Sequence, residues 1–274
     1  MSKQTKITLK SLKTIMASHA KWLDNNKYGG TRASFDDVTF DGRFTNFDFS
    51  QVSFKNIKAD YASFENCKFN NADFENCSFA QANFDNCEFV DCETDTGVSF
   101  NSASFDKCNF DEAHLFGADF GETCFFDCTF VKANLNNADF RNAKFNDCNL
   151  TNIRYDELTA GIALACPEKG AFTAFKKAKL YNGDECIVEL QVPADSLRSS
   201  ATTRKCRVSK ATVVAVYTMD GKSVKQNAYS THTRSFVYKL GKMVEVKNFD
   251  KNRWNECSSG IHCFITKREA EQYC

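Results

Sequence analysis

Residues 62–91 read ASFENCKFNNADFENCSFAQANFDNCEFVD, and phenylalanine returns in them every five residues, at Phe64, Phe69, Phe74, Phe79, Phe84 and Phe89. Two residues before each ring stands a small side chain: Ala62, Cys67, Ala72, Cys77, Ala82 and Cys87. The remaining positions are mostly Asn, Asp, Ser, Lys or Glu. A helix repeats its face about every 3.6 residues and a strand about every 2, so this period belongs to neither. A five-residue period with two inward side chains needs a turn at almost every repeat. Four such repeats close one square coil of roughly twenty residues, and a coil of this kind buries its interior only by stacking on others.

The same register runs backward through Ala59, Phe54, Phe49 and Phe44. A second run follows at Phe100, Phe105, Phe110, Leu115, Phe120, Phe125, Phe130, Leu135, Phe140, Phe145, Leu150 and Tyr155. Its small positions are Ala103, Cys108, Ala113, Ala118, Thr123, Cys128, Ala133, Ala138, Ala143 and Cys148. The two runs differ by one residue in phase, which places a bulge or loop in residues 90–99, where Asp91–Thr96 and Gly97 suit it. Phe35 and Phe40 form a short earlier run, with a slip near Gly42. The expected core is therefore a ladder of Phe64, Phe69, Phe74, Phe79, Phe84, Phe105, Phe110 and Phe120 beside one of small residues that includes Cys108, Cys128 and Cys148.

This segment resembles the pentapeptide-repeat family, whose pattern is roughly A(D/N)(L/F)XX, here ADFEN, ANFDN, ANLNN and ADFRN. The resemblance covers residues 32–157 and implies a right-handed quadrilateral β-helix. Backbone bonds between coils would run at about 4.8 Å spacing, and open ends would need caps. The expected fold is thus dominated by β structure: an amphipathic capping helix in 1–28, the solenoid in 29–158, an exit segment and linker in 159–170, and a small β-rich domain in 171–274.

Composition supports the division. The chain has 274 residues, with 27 Phe but 2 Trp, 2 Pro and 4 Met, as expected when one large apolar residue fills a repeated slot. Net charge is zero, yet residues 1–28 carry +5, residues 29–158 carry −13 and residues 159–274 carry +8; such asymmetry points to separate segments and partners. No secretory leader or membrane-spanning run is legible, so a cytoplasmic protein with reduced thiols is expected.

In the first segment Leu9, Leu12, Ile15, Met16, His19, Trp22 and Leu23 recur at helical spacing, with Thr8 as cap, Gly29-Gly30 as stop and His19 as a boundary residue. Capping the solenoid is the expected role, and membrane binding the rival. Beyond residue 170, strands are expected at Ala174–Tyr181, Glu185–Gln191, Lys210–Thr218, Ser235–Tyr238, Met243–Val246 and Gly260–Ile265. Thr266 with Glu269 forms a capping box for a short last helix. RSSATTRKCR and CSSGIHCF resemble an uncharacterised domain appended to phage and bacterial pentapeptide-repeat proteins, which implies a phage or bacterial setting, in the phage case the host cytoplasm.

Cysteines at twenty-residue spacing stack, as do Cys108, Cys128 and Cys148, with Cys67 and Cys87 as a similar pair. Because Ala and Cys interchange in that slot, the slot asks for smallness and not for a metal. In the C-terminal segment, Cys206, Cys257 and His262 are candidates for a catalytic thiol–imidazole site; Cys263 would point to the opposite face from His262. Arg198, Arg204, Lys205, Arg207 and Lys210 are candidates for binding an anion. No metal site or cofactor is expected. The expected function is a non-enzymatic scaffold or protein-interaction module, with a protein partner, possible self-association, a nucleic-acid partner as an open alternative and no membrane. One alternative is DNA mimicry toward a type II topoisomerase, which the family resemblance implies; another, less favoured, is an enzyme with a Cys/His site in the C-terminal domain.

Overall fold

A computed structural model describes residues 4–25, 27–233 and 235–273. Residues 1–3, 26, 234 and 274 lie outside the described residues. The chain divides into two compact units, Met1–Ala163 and Leu164–Cys274.

The first unit is a right-handed β-solenoid with an N-terminal helix. Short parallel strands stack coil upon coil: Phe44, Phe64, Phe84, Phe105, Phe125 and Phe145 align on one side, and Phe35, Phe54 and Phe74 on another. Isolated bridges through Lys58, Ser78, Ser99 and Asp119, and through Lys68, Glu88, Asn109 and Thr129, complete the square. The rings form columns. Phe64–Phe84 centroids are 5.0 Å apart, Phe84–Phe105 4.6 Å and Phe125–Phe145 4.9 Å, each pair within 9° of parallel. Adjacent columns meet edge-on, as at Phe110 and Phe105, 5.1 Å apart and inclined at 73°. Both arrangements suit the aromatic quadrupole, and each pair contributes about 0.5–1.5 kcal/mol beyond its area burial.

The corners explain the polar residues between the inward ones. Two residues after each ring the backbone turns into the left-handed region, at Asn56 (φ 52°), Asn66 (φ 52°), Asn76 (φ 51°) and Asn86 (φ 51°) among others. Asn tolerates this conformation better than most residues, and here its side chains also form ladders: Asn76 donates to Asn56 and Asn86 to Asn66, both at 2.8 Å. Gly117 (φ 65°) holds the same corner where a Cβ would stand 2.9 Å from the Thr96 Cα.

The phase slip is a one-residue insertion. Thr94 still pairs with Phe74, while Phe105 pairs with Phe84, a step of 21 residues where Phe64 to Phe84 is 20. Asp95 closes the loop by accepting from the Gly97 N–H at 2.9 Å and the Asn76 N–H at 3.2 Å. This registration merges the two cysteine groups read from the sequence into one column, Cys67, Cys87, Cys108, Cys128 and Cys148, whose neighbouring thiols interact.

The helix Leu9–Asp24 opens on Thr8, whose Oγ1 accepts from the Ser11 N–H at 3.1 Å. Leu12, Met16 and His19 are buried, while Leu9 and Ile15 stay exposed. His19 is not a boundary residue. It is fully buried, its Nε2 2.8 Å from the Ser50 carbonyl and its Nδ1 accepting from the Ala33 N–H at 3.1 Å. The helix thus spends its buried stripe on the start of the solenoid. At the other end Tyr155 departs from the expected core: it is 49% exposed, because no further coil covers its side. Instead Thr159 donates to the Leu135 carbonyl at 3.0 Å, and Ile162 is buried. Gly161 (φ 79°) allows this closure, since a Cβ there would lie 2.5 Å from the Phe140 carbonyl.

The second unit contains an antiparallel sheet in the order Val237–Tyr238, Ala228–Tyr229, Phe172–Lys179, Glu185–Val192, Lys210–Thr218 and Met243–Glu245. A three-stranded sheet joins Arg198–Ser200, Cys206–Val208 and Ile261–Cys263, with Cys206 opposite Cys263 and Arg207 opposite His262. Val188, Leu190, Val208, Val213, Tyr238 and Cys263 share one core; Ile187, Phe264 and Ala270 form a second cluster beside the helix Lys267–Gln272. Thr266 and Glu269 make the expected capping box. The hairpin formed by Arg198–Ser200 and Cys206–Val208 is absent from the sequence expectation, as is Ala228–Tyr229. RSSATTRKCR looks like a solvated loop because most of its buried residues, Ser199, Ser200, Thr202, Lys205 and Arg207, are polar, with only Ala201 and Cys206 apolar among them.

Candidate functional site

The outward residues of the solenoid follow from its inward ones: on each side, the positions flanking the ring and the corner residue after it face solvent. On the side that carries Phe54 and Phe74, these positions include Asp36, Asp37, Asp73, Glu75, Glu93, Asp95 and Asp156, with Lys55 and Arg154 among its basic residues. Glu75 is neutralised by Lys55 at 2.7 Å and Asp73 by Arg32 at 3.2 Å. Among the described residues Glu93 meets only the imidazole of His114, at 3.7 Å. Asp95 and Asp156 are fixed by backbone N–H groups with no cation within ion-pair distance among the described residues, and the donors around Asp156 hold its carboxyl below the usual range. The other sides add Asp85, Asp91, Asp119, Glu122, Asp127 and Asp147, for which no basic partner stands within ion-pair distance among the described residues. The −13 charge of residues 29–158 is therefore carried by carboxylates on a rigid lattice and is not cancelled locally. Phe116 and Phe126 break this coat, 46% and 43% exposed at outward positions.

The inner slots are filled by buried rings and small side chains. Phe64, Phe69, Phe74, Phe79, Phe84, Phe105, Phe110 and Phe120 are buried, as are Cys108, Cys128 and Cys148. Each thiol is held by carbonyls; Cys128 Sγ donates at 3.5 Å to Phe105 and 3.3 Å to Phe126. Burial pushes Cys77 up to about 11, and desolvation with its neighbours raises Cys108 further. Thiols in this state are poor nucleophiles. No group of residues able to hold a metal occurs among the described residues.

The structure disperses the basic cluster of the C-terminal unit. Arg198 donates to the carbonyls of Pro167, Gly170, Pro193, Ala194 and Ser196, and Arg207, 2% exposed, to those of Asp250, Asn252 and Ser259. Arg204 pairs with Glu269 at 2.6 Å and Lys210 with Asp195 at 2.7 Å. Four of the five cations thus hold loops, a role that the sequence does not reveal because the partners are backbone carbonyls or carboxylates far along the chain. Lys205 alone of them opens into a cavity, where its Nζ lies 3.5 Å from Cys257 Sγ and 3.5 Å from Glu256.

His262 and Cys257 line that same cavity, but Cys206 is fully buried in the core and does not join them. Cys263 and His262 face opposite sides of their strand, as alternation requires. Lys176, which the sequence reading passed over, also lines the cavity; it sits on a strand with an alternating burial pattern, where a lysine at an inward position was the available signal.

Residues 33–76, 60–93, 96–130 and 125–154 match pentapeptide repeats, and residues 162–270 match a family of unknown function, DUF5758. Among solved structures, trypsin-treated QnrB1, a plasmid-mediated fluoroquinolone resistance protein, is similar at 16% identity over 45% of this chain and 83% of its own, with a TM-score of 0.28. A pentapeptide-repeat protein of the cyanobacterium Cyanothece 51142 is similar at 14% identity over 46% and 86%, TM-score 0.26. Another, from the thylakoid lumen of Arabidopsis thaliana, is similar at 22% identity over 41% and 63%, TM-score 0.22. No protein of curated function matches. No helix is long and apolar enough to cross a membrane among the described residues.

Proposed function

We propose that this chain, which carries pentapeptide repeats joined to a domain of a family of unknown function, is a binding protein whose acidic solenoid docks the nucleic-acid-binding surface of a protein partner. The observation that supports the reading most is the coat of uncancelled carboxylates on a solenoid whose interior is packed with buried rings and small side chains. DNA also presents regularly spaced anions on a stiff lattice, and a groove lined by Lys and Arg binds such a lattice through electrostatics that carry no base sequence. A solenoid fixes the backbone that carries its charges by coil stacking, so little backbone freedom is lost on docking.

A scaffold role, with the solenoid holding the C-terminal unit for a partner, is the second reading; the exposed Phe116 and Phe126 favour it, because apolar rings at outward positions suit a protein interface. The two are separated by titrating the full chain into a supercoiling reaction of a bacterial type II topoisomerase. DNA mimicry predicts inhibition that added duplex DNA relieves. Full supercoiling activity at a large molar excess of the protein contradicts it.

A further inference from the structure

The C-terminal unit holds an open cavity of about 710 Å³, within the ~300–1,000 Å³ range of small-molecule sites. Two of the charged residues that line it are buried. Lys176 is 9% exposed and Lys205 7%. The Lys176 ammonium donates to the His262 carbonyl at 3.1 Å, and among the described residues no carboxylate lies within ion-pair distance of it. Lys205 shares Glu256 at 3.5 Å and lies 5.7 Å from the centre of the Tyr273 ring. Lys176 and Lys205 are thus two buried cations, with Glu256 within ion-pair distance of Lys205 only and the exposed Glu245 elsewhere on the lining. A buried charge without a counter-charge is costly, and desolvation accordingly lowers the Lys176 pKa.

A second sign is the side chain of His262. Its Nε2 is buried and has no hydrogen-bond partner among the described residues. Burial and the nearby Lys176, Lys205 and Arg207 hold this imidazole down to about 4, so it is neutral near pH 7. A buried polar atom of this kind is costly unless something fills its valence. A hydroxyl does so with either imidazole tautomer, since it both donates and accepts. Phe236 and Tyr238 supply an apolar wall.

We propose that this cavity binds a small organic oxyanion that carries hydroxyl groups, a phosphate monoester or a hydroxycarboxylate. Its anionic oxygens meet Lys176 and Lys205, a hydroxyl meets His262 Nε2, and its carbon skeleton lies against the aromatic wall. The site is independent of the acidic solenoid surface.

Calorimetric titration of the full chain with ribose 5-phosphate, D-gluconate and uncharged ribose tests the proposal. Saturable binding of at least one anion, with none of ribose, is expected, and the anion that binds tells phosphate from carboxylate. Lys176→Met and Lys205→Met should each weaken it at least tenfold, while Lys132→Met on the solenoid leaves it unchanged. In the unaltered chain the ¹⁵N resonances of His262 should shift with the same saturation midpoint, a reading that does not depend on the variants folding. Absence of binding by both anions at about 10 mM, where even a millimolar Kd saturates, overturns the site. So does binding that Lys176→Met and Lys205→Met leave intact with no His262 shift.

Discussion

A thiol and a methyl group are exchangeable in the inner slot of the solenoid because the slot is bounded by backbone carbonyls of two coils; Cys87 Sγ lies 3.5 Å from the Phe64 oxygen and 3.4 Å from that of Asp85. Cys128→Ala should therefore change the stability of the solenoid by less than about 1.5 kcal/mol in urea titration, whereas Phe105→Ala, which opens a cavity between stacked rings, should cost about 3–5 kcal/mol. Phe116→Ala, at an exposed position, should cost less than about 0.5 kcal/mol. Reactivity divides in the same way. Cys186, pushed up to about 12, and Cys92 are buried, and Cys257 is exposed; an aromatic disulfide reagent should modify Cys257 in the native protein and the buried thiols only after unfolding. His262 gives a pH signature. Its folded value of about 4 lies below the ~6.5 of an unfolded imidazole, so the unfolded chain binds the extra proton between those values. Stability contributed here is complete above about pH 6.5 and falls as the pH drops toward 4. The difference in melting temperature between wild type and His262→Gln should shift across that window. At this scale the ladders of Phe and Ala/Cys were legible in the sequence because each repeat restates them. The buried state of His19 was not, since its partners are the backbone of Ser50 and Ala33.

Elements differ in legibility for a related reason. The solenoid strands have only two or three residues each, too short for any local pattern, yet the five-residue period finds them because coil stacking, and not strand propensity, selects them. The phase slip was legible as a change of register; what it does to the thiol column became visible only when both runs were placed on one lattice. The Arg198–Ser200 and Cys206–Val208 hairpin was missed because its buried face is built from Ser, Cys and Arg, which a hydrophobic pattern does not register. The capping helix was read correctly at Thr8, and its worth is measurable. Thr8→Ala should cost about 1 kcal/mol through the lost bond to Ser11. Leu12→Ala, at a fully buried position, should cost about 2–5 kcal/mol, both read as shifts in urea unfolding. A helix that served a membrane surface in place of the solenoid end would leave unfolding unchanged by Leu12→Ala.

Across the whole molecule, charge and chemistry fall in different units. The solenoid carries −13 over residues 29–158 with its thiols buried except the half-buried Cys124, and the C-terminal unit holds the buried lysines and the imidazole whose Nε2 has no partner among the described residues. The charge asymmetry was countable in the sequence; that many of its carboxylates go without cations, while C-terminal cations such as Arg198, Arg207, Arg204 and Lys210 are taken up by carbonyls or carboxylates of their own unit, needed the three-dimensional arrangement. The most direct test of the acidic solenoid as a binding surface is displacement of labelled duplex DNA from a type II topoisomerase by the full chain, followed as salt is raised. The chain should displace the DNA in proportion to its concentration, and its apparent affinity for the enzyme should fall with salt, as expected when screened charges hold a complex. The variant with Asp85, Asp119, Glu122 and Asp127 changed to their amides should displace it at least tenfold less well. Displacement that is absent at a large molar excess, or that the amide variant retains in full, contradicts the account.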